Sequence, residues 1–336
     1  MESAAVGAGV RATEMPYAAR PRLTFLAPLR ILASFAVVWH HARQGYLFGI
    51  GFGLFLFLVI LFGLASSGTR SEPLGQFARR KSSFLLIPWV RWSVIYLGLL
   101  TASDLVRGHD PSSRFEWKMV FYGGHPAFWF LPFAALSIVA AKAISRVMAR
   151  WDARKTSIAT ALVATIVTSL ASQAVMLEMP DVPLRAWLRV TPAIFWGIAV
   201  GQSLRAHARE RQRLLILVAL LGIISFLYSP FDPNPEDLPR RFGVAVPLAC
   251  LGFAWTPVVP RAIGRLATVT FGVYLVHPLV AKAIATVLDT ESWSTMELAL
   301  LIWIGSALIV LALRWSGLRW PECVGPEPDG PASAKS

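Results

Sequence analysis

The chain has 336 residues, of which 55% are hydrophobic and only 15% charged, with a mean hydropathy of +0.57. These values exceed what a soluble domain of this length carries and identify an all-α polytopic membrane protein. The formal net charge of +13 would suit nucleic acid if the basic residues formed one patch, but they gather in alternate loops, so no nucleic-acid partner is expected.

Residues 1–22 lack the apolar core and small-residue cleavage site of a signal peptide and read as a cytoplasmic tail. Stretches long enough to cross about 30 Å of hydrocarbon follow near 23–42, 46–66, 84–104, 127–146, 157–177, 186–204, 213–229, 242–260, 266–288 and 296–315, which predicts ten helices in one membrane domain over 23–315. Residues 316–336, rich in Pro, Gly and Ser, read as a disordered second tail. Most of the 32 Lys and Arg fall in the two tails and in alternate loops, among them Arg79, Arg80 and Lys81, then Lys142, Arg146 and Arg150, then Arg205, Arg209 and Arg211. The intervening loops hold few basic residues and most of the acids. The positive-inside rule therefore places both termini in the cytoplasm, which an even number of helices requires.

Cys250 falls within a predicted helix and Cys323 in the tail, so no disulfide is expected, and no spacing suits a metal. No phosphate-binding loop, dinucleotide fingerprint or nucleophile elbow is present, and no loop is long enough for a separate soluble domain. Any chemistry has to occur in or at the bilayer.

Arg30 and His41 mark where. Eleven residues at 100° each return to within about 20° of the start, so the two side chains share a helix face about 16 Å apart along the axis. His40 falls about 80° off that line. An ionisable residue in a membrane helix is costly and is a functional candidate by default; the bland alternative is that Arg30 snorkels to headgroups while His41 sits in interfacial water. Arg91, in the third predicted helix, reaches a depth close to that of Arg30. A phosphate-bearing ligand from the cytoplasm would suit both, because a guanidinium binds phosphate oxygens in a bidentate fork.

Arg30, ten intervening residues and His41 resemble the first-helix motif of the acyltransferase 3 family, bacterial membrane enzymes that acylate envelope glycans. Three further segments are similar to that family in order. These are Gly51 to Gly63, glycine then phenylalanine-rich; Gly123-Gly124-His125 through Trp129-Phe130-Leu131; and Tyr274-Leu-Val-His277. The chain departs from the family at Ala27-Pro28 before Leu29-Arg30, at Leu85, where the family has an arginine, and at His125, two residues early.

The resemblance implies an O-acyltransferase of the bacterial inner membrane that uses acyl-CoA, with acetyl-CoA the expected co-substrate and no permanently bound cofactor. Its acceptor would be a hydroxyl of an envelope glycan or lipid-linked saccharide. Arg30, Arg80, Lys81 and Arg91 would hold the donor phosphates and His41 would act as general base. Trp129, His125, Tyr274 and His277 would line the acyl or acceptor pocket. The other readings of the same residues are a transporter or flippase for such a glycan, since buried Arg and His also line substrate pathways, and a non-catalytic subunit of an envelope machine. The aromatic run around Trp129 could equally be an interfacial belt.

Overall fold

The computed structural model describes residues 25–43, 51–68, 72–110, 112, 116–175, 181–227, 237–255, 257 and 259–316. The expected tails, apart from Ser316, lie outside these, as does Cys323. Among the described residues every regular element is helical: α1 (Leu26–Arg43), α2 (Phe52–Ser67), α3 (Leu74–Val106), α4 (Met119–Tyr122), α5 (Phe130–Met148), α6 (Ala153–Val175), α7 (Ala186–Val190), α8 (Pro192–Ser203), α9 (Ala208–Leu227), α10 (Leu238–Ala254), α11 (Arg261–Val287) and α12 (Thr295–Trp315). A 3₁₀ turn over Pro126–Trp129 leads into α5, and a π turn over Asp181–Arg185 leads into α7.

By length and composition, five described helices can cross a membrane: α3, the continuous segment Pro126–Met148, α6, α11 and α12. Each of the ten expected stretches holds a helix, but the remainder are shorter or carry charge. α2 is apolar yet has only 16 residues. α1 contains Arg30, His40 and His41, so its own candidate site residues lower its hydropathy. Pro192, which has no N–H to donate, separates α7 from α8.

The helix boundaries differ from the hydropathy reading where polar residues extend a helix past the apolar stretch. α3 begins at Leu74 rather than 84, carrying Arg79, Arg80 and Lys81 on its first turns, and α9 begins at Ala208 rather than 213. Hydropathy registers where hydrocarbon could lie, whereas helix geometry continues into the polar flank.

α2 is apolar on all sides and forms the centre, packed by α1, α5, α8 and α10. Its crossing with α1 is close because Gly53 has no side chain: a Cβ there would stand 2.5 Å from Ala33 O and 2.9 Å from Ala36 Cβ. α1 is held on its other flanks by α11 and α12, and the Trp303 indole donates to Ser34 Oγ at 2.9 Å. α3 lies at the rim, with Val90, Val94 and Leu99 exposed as lipid-facing residues would be.

The two ends of the bundle differ in charge. At the end nearest Arg30, Lys142 donates to Gly68 O at 3.0 Å, Arg205 donates to Ala149 O at 3.1 Å, and Arg314 donates to Thr268 Oγ1 at 2.8 Å and to Thr268 O at 3.0 Å. Ser145 and Gln202 link the same end of α2, α5 and α8 through bonds of 2.7 and 2.9 Å. The bonds to Ser66 O, Gly68 O and Ala149 O satisfy carbonyls that helix ends leave open. The start of α1 and the end of α12 both lie at this end, since Arg30 and Thr270 line one cavity and Arg314 bonds to Thr268.

Candidate active site

Two cavities meet along the face of α1 that carries both Arg30 and His41. The first, of about 340 Å³ with its mouth included, is lined by Arg30, Ser34, Phe57, Phe130, Thr270 and Phe271, together with Val37, Leu54 and Tyr274. It is nearly all apolar apart from Arg30. The second, of about 680 Å³ with its mouth included, shares Val37, Leu54 and Tyr274 and adds His40, His41, Trp129, Arg189 and Arg241. A narrow greasy pocket thus lies beside a wider polar cleft, and their common wall of Val37, Leu54 and Tyr274 lies between the guanidinium and the imidazole. Among the described residues no hydrogen bond or ion pair satisfies the Arg30 guanidinium.

His41 stands against His277, with ring centroids 5.1 Å apart. The geometry of His277 follows from the proline beside it. Pro278 lies inside α11 and has no N–H for the carbonyl of Tyr274, four residues back. His277 Nδ1 lies 2.7 Å from that carbonyl. A carbonyl only accepts, so Nδ1 carries the hydrogen, and a neutral ring then presents Nε2 as an acceptor. His277 is fully buried, and its Nε2 has no partner among the described residues. One residue further on, the Tyr96 hydroxyl inserts into the same helix: it accepts from Leu279 N at 2.8 Å and donates to Leu275 O at 3.3 Å. These bonds take up backbone groups around Pro278 and fix the His277 ring beside His41.

The turn before α5 forms the third wall. Gly123 has φ 71°, and a Cβ on Gly124 would sit 2.1 Å from Ser93 O, so both positions need glycine for the turn to lie on α3. His125 Nδ1 accepts from Ala127 N at 3.1 Å, capping the 3₁₀ turn, while its ring packs on Tyr96 at 5.0 Å and on Phe128 at 5.7 Å. The Tyr274 hydroxyl donates to Ala127 O, and the Trp187 indole donates to Trp129 O at 3.3 Å. These bonds fasten the turn to α11 and α7 and deliver Ala127 and Trp129 to the cleft.

Of the residues singled out from sequence, Arg30, His41, Trp129 and Tyr274 line the paired cavities, and His277 lies directly behind His41. His125 braces the turn without lining either cavity. Arg91 is exposed on α3 and lines neither. Arg80 is exposed and pairs with Glu72 at 2.8 Å, and Lys81 follows it on the first turns of α3, away from both cavities. Sequence reasoning overlooked Arg189 and Arg241 at the cleft and Tyr96 beside Pro278 of α11. Arg189 was findable, because it lies inside the predicted helix 186–204, the same signal that drew attention to Arg30.

The arrangement offers an imidazole on a wide polar cleft that shares a wall with a narrow apolar pocket, with an arginine on the lining of that pocket. It suits the joining of a long thin donor to a broader polar acceptor. Searches among curated proteins and among solved structures found no match. The acyltransferase 3 family model, described as an acyltransferase domain, matches residues 25–317, so the chain belongs to that family and is a membrane acyltransferase.

Proposed function

We propose that this protein is an O-acyltransferase of the bacterial inner membrane, with ten transmembrane helices and both termini cytoplasmic, which moves an acetyl group from acetyl-CoA to a hydroxyl of an envelope glycan or lipid-linked saccharide. The observation that carries this reading is the pair of adjacent cavities that share Val37, Leu54 and Tyr274 as a wall, one lined by Arg30 and the other by His41. The accumulation of Lys142, Arg205 and Arg314 at the Arg30 end supports a cytoplasmic position for that end.

In this mechanism the donor's phosphates bind at the cytoplasmic end with Arg30 at the passage entrance, and Arg80 and Lys81 extend the basic surface there. The pantetheine arm lies along Phe57, Phe130 and Phe271, and the thioester reaches the common wall near Tyr274. The acceptor hydroxyl enters from the cleft. His41 takes the hydroxyl proton as that oxygen attacks the thioester carbon; the carbon–sulfur bond breaks and the thiolate recovers a proton to leave as CoA, giving an O-acyl ester. His277 Nε2, buried beside the His41 ring, is the acceptor toward which the remaining N–H of His41 would turn as the imidazole takes the proton, orienting its other nitrogen to the acceptor hydroxyl.

Mass spectrometry of envelope glycans from cells with and without this protein tests the reading. Acetyl esters present in the parent and missing from the deletion strain are expected, with restoration by the wild-type chain and not by His41→Ala. Unchanged acetylation of every glycan would contradict it.

A further inference from the structure

We infer that Tyr96, on the rim helix α3, is a positioning residue for the transfer: its hydroxyl shapes α11 around Pro278 so that the His277 ring stands against His41. Tyr96 lines neither cavity, so its part in the reaction, which rests on the acyltransferase reading, is carried by His277. An α-helix bonds each carbonyl to the N–H four residues on. In α11 two successive pairs are served by side chains. Pro278 has no N–H for Tyr274 O, and His277 Nδ1 lies 2.7 Å from that carbonyl. The next pair is Leu275 O and Leu279 N, and the Tyr96 hydroxyl bonds both, accepting from Leu279 N at 2.8 Å and donating to Leu275 O at 3.3 Å. A side chain inserted into the ladder alters the turn that holds it, and His277 is on this turn, between Leu275 and Leu279.

The Tyr96 ring is fixed by packing. It is 4% exposed although α3 lies at the rim, and its centroid is 5.0 Å from that of His125 and 5.1 Å from that of Phe128. Tyr96→Phe keeps these contacts and removes only the hydroxyl. Leu279 N can then bond Leu275 O directly, as in a regular helix, so no backbone group is left unpaired and the chain still folds. The turn that carries His277 tightens, and the ring leaves the place where it stands 5.1 Å from His41 with Nε2 bonded to nothing else among the described residues.

Kinetics of the purified full chain in nanodiscs test this. Tyr96→Phe should lower kcat for acetyl transfer about tenfold or more, the cost of misplacing a reacting group, with acetyl-CoA affinity unchanged. In a His277→Ala background the same substitution should cost less than about twofold, because it acts through a ring already removed. Wild-type kcat in Tyr96→Phe would overturn the inference. So would an equal loss in both backgrounds, the result expected if Tyr96 served only folding or acted through His125 and the turn before α5. Nitrogen NMR of histidine-labelled protein reads the same geometry without catalysis. The His277 Nδ1 resonance, identified by its loss in His277→Ala, should move in Tyr96→Phe, and an unmoved resonance would overturn the inference. A resonance that moves as expected in a protein that transfers no acetyl group would defeat the acyltransferase reading while showing that Tyr96 sets the His277 ring.

Discussion

His41→Ala is expected to lower acetyl transfer by about 10² to 10⁴-fold, the range over which a positioned general base acts, while leaving acetyl-CoA affinity near wild type. His41 is the imidazole that both lines the cleft and stands against His277, at 5.1 Å between centroids, so its loss removes the proton acceptor without opening the packed core around α2. His40 lines the same cleft but points elsewhere on α1, and His40→Ala should cost about tenfold or less. Initial rates with purified variants at matched amounts separate the two. Equal activity of wild type and His41→Ala would remove the proposed base.

Loss of Arg30 should have the opposite signature. Its guanidinium stands at the end of an otherwise apolar passage, with no protein anion or carbonyl bonded to it among the described residues. Removing one charged contact to a donor phosphate costs about 1.5 to 3 kcal/mol, roughly ten- to a hundredfold in acetyl-CoA affinity. Arg30→Lys keeps the charge but loses the bidentate fork, so it should fall between wild type and Arg30→Ala. Calorimetry with acetyl-CoA measures the series directly. If Arg30→Ala binds acetyl-CoA as tightly as wild type while transfer is lost, Arg30 acts on structure or chemistry instead of on donor binding.

The parts of this site legible in the sequence are those that obey a helical period or a cost of burial. Arg30 and His41 are eleven residues apart on one helix, and that spacing alone predicts one face; in the structure they line two adjacent cavities that share Val37 of the same helix. Helix positions followed the apolar stretches, although the starts of α3 and α9 did not, since their first turns are basic and hydropathy is blind to a helix that continues outside hydrocarbon.

Contacts between helices were not legible. That Arg91 turns outward on α3 depends on α3 taking the rim, which in turn depends on α2 taking the centre. Arg241 precedes the apolar stretch 242–260, and only the packing of α10 against α2 puts it over the Phe55 ring. The role of Tyr96 required knowing that Leu279, 183 residues away in sequence, lies opposite it.

The central claim is that a donor enters at the Arg30 end and the acetyl group leaves at the His41 end. Inside-out membrane vesicles carrying the protein, with a saccharide acceptor trapped in the lumen and radiolabelled acetyl-CoA added only outside, test it most directly. The account predicts label on the lumenal acceptor with wild-type protein and none above background with His41→Ala. Label that appears on an acceptor only when it shares the outer solution with acetyl-CoA would contradict transfer along the passage from Arg30 to His41.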